Sequence, residues 1–171
     1  PELWPRPAVP ESPMRTAPIE IEDLRVPWRE GPIHVIGARE GTLLTDKLLM
    51  DPKREGPFAV QDVDRDLLKL VVCNRYDEGR KPSLAFVTGF GLRRGAMATT
   101  VAHDSHNLIG LGASDAALMR VLEAVRVCGG GMAVGDAEGP LEVLPLPIGG
   151  LMSDRRLEAV VEGCLLYTSD A

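Results

Sequence analysis

The sequence predicts an α+β fold: a largely antiparallel or mixed sheet packed against about three helices. Three observations predict it. Short apolar or alternating segments rich in β-branched residues cluster along the chain, as strands do. Several connections between them hold fewer residues than the dozen or so that a parallel crossover needs. Elsewhere apolar residues recur at helical spacing, between and after the strands.

Residues 1–18 carry prolines at positions 1, 5, 7, 10, 13 and 18. Each fixes φ and removes a backbone donor, so this segment is expected to be an extended connector. "IEIEDLRV" from Ile19 and "IHVIGA" from Ile33 read as strands. "GTLLTDKLLM" is a further strand candidate, although its leucines also suit a helix, and Gly56-Pro57 marks a turn. Residues 64–76, "DRDLLKLVVCNRY", are expected to form the first helix. Leu67, Leu70 and Val71 fall at i, i+3, i+4, Asp62 or Asp64 can cap the start, and Gly79 ends it. "SLAFVTGFG", "GAMATTVAH" and "NLIGLGA" read as successive strands. Ser114 opens a second helix, whose stripe is Leu118, Val121, Leu122 and Val125, and the glycines 129–131 stop it. "GMAVGD" and "LEVLPL" read as a hairpin around "AEG". Ser153-Asp154 is expected to cap a last helix with Leu157, Val160 and Val161 on one face.

A chain of 171 residues with 44% apolar and 26% charged residues is long enough for one ordinary core. Its net charge of -6 argues against a broad nucleic-acid or anionic-membrane surface. Aromatic residues make up only 4%, which leaves few rings for stacking on bases. Cys73, Cys128 and Cys164 are widely spaced and odd in number, as expected of reduced thiols in a cytoplasmic protein. No apolar run approaches the length of a membrane span, and the start lacks the apolar region of a signal peptide.

The densest chemistry lies in "VAHDSHN": His103, Asp104, Ser105, His106 and Asn107. Two imidazoles and a carboxylate can form a metal site, or a base with its orienting acid. Asp104, Ser105 and Asn107 equally favour a polar turn, and spacing alone leaves both readings open. In "GFGLRRGA", glycines permit close backbone approach, and Arg93 and Arg94 are candidates for anion or interface contacts. The segment is neither a Walker loop nor a dinucleotide fingerprint. "PLPIGGLMSD" reads as a stiff linker ending in a cap.

Taken in order, "GFGL", "AHDSHN", the "GGG" before a strand and "LPLPIGGLMS" resemble the carboxy-terminal domain of adenine deaminases of the amidohydrolase superfamily, over about residues 33–162. That resemblance implies metal-dependent hydrolysis of adenine to hypoxanthine and ammonia in purine salvage. It places the divalent metal, manganese or iron, in an amino-terminal barrel that this chain lacks, so no catalytic ligand is carried over here and no cofactor is expected in this fragment. The implied partners are adenine, the barrel and further copies of the chain, with neither nucleic acid nor membrane. The expected division is a linker from the barrel at 1–18, the domain at 19–163 and an atypical, non-native tail at 164–171. Two alternatives are a free-standing regulatory module that holds a metal or ligand in the 103–107 loop, and a self-contained hydrolase with His103 or His106 as base.

Overall fold

The computed structural model describes residues 14–169, with side chains over 14–165. Most of the expected connector at 1–18, including five of its prolines, lies outside the described residues. In chain order the strands are β1 (Val26–Pro27), β2 (Ile33–Gly37), β3 (Asp46–Met50), β4 (Lys53–Glu55), β5 (Phe58–Val60), β6 (Leu68–Cys73), β7 (Ser83–Thr88), β8 (Ala96–Thr99), β9 (Leu108–Gly112), β10 (Gly131–Gly135) and β11 (Leu141–Pro145). The helices are α1 (Asp115–Val127) and α2 (Leu157–Ser169).

The main sheet has eight strands in the order β11-β10-β8-β9-β6-β7-β2-β3. Every neighbouring pair is antiparallel except β2 and β7, so the sheet is mixed. A small sheet, β1-β5-β4, stands apart from it in pairing. The fold is α+β as expected, but sheet-dominated, and the described residues hold two α-helices where about three were expected.

The missing helix is the segment at 64–76. It forms a 3₁₀ turn at Val63–Arg65 and then β6. β6 lies inside the sheet between β9 and β7, and it buries Val71 and Cys73 on the α1 face and Leu68 on the opposite face, so both faces are apolar. Such a run satisfies helical spacing by accident. "IEIEDLRV" is also corrected: Ile21–Leu24 form a 3₁₀ turn, in which the Glu20 amide donates to the Asp23 carboxylate at 3.2 Å. Only its last residue, Val26, is strand, as the start of β1. In "GTLLTDKLLM" the strand is confined to Asp46–Met50. The hairpin of β4 and β5 turns at Gly56-Pro57.

Helix α1 begins as expected, with the Ser114 hydroxyl oxygen accepting from the Ala117 amide at 3.2 Å. Its stripe of Leu118, Val121, Leu122 and Val125 is fully buried against Val71, Cys73, Ala98, Leu108 and Ala133 of the sheet. The small sheet contributes Ala59 to a second cluster on Val35 and Phe86 of the same face. Helix α2 lies against β11, where Gly163 sits over Leu144. It starts at Leu157, later than the expected cap: Ser153 accepts from the Arg155 amide in the preceding turn. Leu157 and Val161 stay exposed, so the expected apolar face of α2 is not buried by the described residues.

Two measurements test this core. Leu122→Ala is expected to cost about 2–5 kcal/mol in urea unfolding; a loss below about 0.5 kcal/mol, as at surface sites, would contradict the burial. Burial also pushes the Cys73 thiol up to about 12 from 9.0. The unfolded thiol therefore ionises first as pH rises. Its stability contribution is unchanged below about pH 9 and becomes progressively unfavourable towards pH 12. Cys73→Ala is expected to flatten this alkaline decline; an unchanged slope of stability against pH would refute the assignment.

Candidate functional site

Strand β6 defines two ends of the sheet. At its Cys73 end, the pairings of Cys73 with Leu108, of Thr99 with Met132 and of Gly131 with Pro145 gather the loops 100–107, 129–131 and 146–150. Residues 15 and 16 join them, as the Arg15 amide donates to Arg75 O at 2.7 Å and the Thr16 hydroxyl to Asn74 O at 3.4 Å. At the Leu68 end lie Thr88 and the glycine loop after it, together with the start of α1.

Arg75, just past β6, is 2% exposed. Its guanidinium donates to His106 O at 3.0 Å and to Gly149 O at 2.6 Å, and lies 5.7 Å from the Tyr76 ring centre. Beside it, the buried Thr100 hydroxyl donates to Gly150 O at 2.6 Å and accepts from the Gly131 amide at 2.8 Å. The approach of these loops excludes side chains: a Cβ on Gly130 would sit 2.5 Å from Gly150 Cα. Arg75 forms no ion pair with a described residue, and its Nε and the buried Nδ1 of His106 have no partner there. Neutral carbonyl dipoles thus hold a buried cation, an arrangement whose desolvation is costly unless the bonds are kept.

The 103–107 loop sits on this junction. Asp104 and His106 have φ of 71° and 49°. The turn is closed by the His106 amide donating to Ala102 O at 2.8 Å and the Ser105 amide donating to His103 O at 3.1 Å. Asn107 Oδ1 accepts from the Arg75 amide at 3.3 Å, and the Tyr76 hydroxyl donates to Ser105 O at 3.1 Å. The His103 and Asp104 side chains are 97% and 90% exposed, with Nδ1 and Oδ1 2.8 Å apart. His103 therefore faces solvent, whereas His106 turns one ring nitrogen inward.

Arg93 and Arg94 lie at the other end, away from this loop. Arg93 donates to Val63 O at 3.1 Å, and Arg94 borders a shallow cavity with Asp136 and Glu142. The amides of Gly89, Phe90 and Gly91 point at the Asp66 carboxylate at 2.6, 3.1 and 2.8 Å, so an internal anion already fills this nest. Gly89 approaches Ala38 so closely that a Cβ would lie 2.3 Å from its carbonyl oxygen. Lys69, fully buried on β6, donates to Leu24 O at 2.7 Å and to Asp115 at 2.5 Å. Burial holds its ammonium below the usual lysine range against the opposing pull of Asp115.

Sequence reasoning missed Arg75, Thr100, Asp66 and the Lys69–Asp115 pair. Arg75 and Lys69 lay inside the segment expected to be a helix. The usable signal was a charge in each half of a segment that is otherwise apolar on both faces.

The family model described as "Adenine deaminase C-terminal domain" matches residues 42–167. The chain is 56% identical to the adenine deaminase of Syntrophobacter fumaroxidans over 155 residues, which cover 91% of the chain and 27% of that protein. It is 47% identical to the adenine deaminase of Salinibacter ruber over 143 residues, 84% of the chain and 26% of the relative. For the adenine deaminase of Thermosipho africanus the identity is 39%, over 81% and 24%. The chain belongs to the adenine deaminase C-terminal domain family. It spans about a quarter of the length of these relatives.

Within this family domain, three motifs that are separate in sequence meet at Arg75 and Thr100: the 103–107 loop, the glycines 129–131 and the "PIGG" turn. Among the described residues no group of three His, Cys, Asp or Glu side chains is placed to hold a metal ion. No helix among them is long and apolar enough to cross a membrane.

Arg75→Lys keeps the charge but not the fork that reaches both carbonyls. It is expected to cost about 2–4 kcal/mol in urea unfolding and to speed amide hydrogen exchange in 101–107 and 148–152. Exchange and stability equal to the unaltered chain would show that the junction carries no load.

Proposed function

We propose that this chain works as the carboxy-terminal domain of an adenine deaminase, which converts adenine and water to hypoxanthine and ammonia in purine salvage. The observation that carries the reading is the ordered match to relatives of that name, each about four times as long as the matched stretch. In this reading hydrolysis belongs to a preceding barrel domain, which holds the divalent metal, manganese or iron. This chain is inactive alone. Residues 1–18 link the two parts, residues 19–163 form the domain, and residues 164–171 are an atypical tail.

The fold supports a place for the 103–107 loop in this arrangement. Residues 15 and 16 are pinned to Asn74 and Arg75, at the sheet end where that loop stands. The chain thus enters the domain at the loop's end of the sheet, which supports a preceding domain on the side of the loop and not of Arg93 and Arg94. His103, solvated here, is then available to the barrel or to an oligomer contact. Exposed Leu43, Leu44 and Leu49 at the free β3 edge support a homo-oligomer. The thiols of buried Cys73 and half-buried Cys128, neither in a disulfide, support a cytoplasmic location.

The test measures ammonia release from adenine. The chain alone is expected to release none. The protein extended by its barrel-bearing segment is expected to release it and to stop when a chelator is added. In that longer protein, His103→Ala and His106→Ala are expected to lower turnover more than the melting temperature. Turnover by this chain, purified free of host deaminase, would overturn the division of labour. Alanine variants with unchanged kinetics and a lowered melting temperature would make the loop structural only.

A further inference from the structure

Helix α1 and the small sheet cover the same face of the main sheet and leave a cleft between them of about 500 Å³. That is the size of a small-molecule site. Its floor is Lys69, with Asp115 and Gln61 beside it. Lys69 Nζ and Gln61 Nε2 both donate to Asp115 Oδ1, at 2.5 and 2.8 Å. Gln61 is only 9% exposed, yet its Oε1 accepts from no described residue, and neither does Asp115 Oδ2. The atoms the floor leaves open are therefore acceptors, and their complement is a ligand with N–H donors.

The walls narrow the class further. Ile21, Val60 and Val63 are apolar, and the Arg25 guanidinium carbon lies 5.0 Å from the Phe58 ring centre, so two planar groups on which a planar ring can stack line the same wall. The rim sets Arg25 and Lys53 against Glu55, Asp62 and Asp64, which suits neither a phosphate nor a polyamine. The cleft belongs to the Leu68 end of β6. Lys69 and Arg75 are six residues apart, roughly 20 Å along an extended strand, so the cleft is remote from the end to which residues 15 and 16 are pinned.

We infer that this cleft is a second ligand site, for an uncharged planar nitrogen heterocycle with an N–H donor edge. The Asp115 and Gln61 oxygens accept from that edge while Arg25 stacks on its face. The inference goes beyond the assignment of deaminase activity, because it concerns binding by this chain alone.

Amide NMR spectra of the isotopically labelled chain, titrated separately with adenine, inorganic phosphate and spermidine, test it. Adenine is expected to shift the amides of residues 59–63 and 113–116 saturably, and the other two are not. Gln61→Leu, which leaves the Lys69–Asp115 pair in place, is expected to weaken adenine binding about fivefold or more. The joint change Lys69→Met and Asp115→Leu is expected to weaken it at least as much. The site is refuted by an absence of saturable shifts, by shifts confined to the Arg75 end, by phosphate or spermidine binding in place of adenine, or by Gln61→Leu binding as tightly as the unaltered chain. No turnover is measured, so such a failure leaves the deaminase assignment standing.

Discussion

A buried guanidinium held by backbone carbonyls organises one whole end of this fold. Arg75 reaches His106 O and Gly149 O, from loops far apart in sequence, with no carboxylate among the described residues to offset its charge. Oriented carbonyl dipoles and the Tyr76 ring, not a countercharge, offset its desolvation, so the geometry is exacting. The loops must bring their carbonyls within hydrogen-bond reach of one side chain, and that drives backbone against backbone. Gly130 beside Gly150 and the Thr100 hydroxyl between Gly131 and Gly150 are consequences of that approach. The left-handed backbone at Asp104 and His106 is tolerated because the surrounding bonds over-determine it.

The opposite end uses the converse device. There Asp66, itself at φ 53°, gathers the amides of Gly89, Phe90 and Gly91 around its carboxylate. A cation thus closes carbonyls at one end of the sheet, and an anion closes amides at the other. Between them β6 carries the alternation that makes both possible. Lys69, Val71 and Cys73 face α1, while Leu68 and Leu70 face the cluster with Val87 and Leu111. The strand delivers Lys69 to the floor of the cleft and then turns out as Arg75 under the loops.

The legible and illegible parts of the sequence divide along this strand. Segments with one buried face announce themselves. The stripe of α1, its Ser114 cap and the β10–β11 hairpin follow from local period and turn chemistry, because one side of each meets the core and the other meets water. β6 has no such contrast. Its Leu67, Leu70, Val71 spacing fits a helix, and only its neighbours on both sides make it a strand. The misreading hid both charges, since Lys69 and Arg75 fell within the segment expected to be a helix.

The sequence alone determined the class of fold, where along the chain most strands lie, the α1 core stripe and, through motifs in a fixed order, the family. These are properties of local period, capping and linear order, which a chain carries in its own letters. Which motifs meet was decided only by the tertiary structure. It joined the 103–107 loop to two glycine turns through Arg75, sent Arg93 and Arg94 to the far end, and left a cleft over Lys69. Such meetings depend on strand order in the sheet, and strand order is set by the pairing of distant segments, for which one-dimensional spacing holds no record.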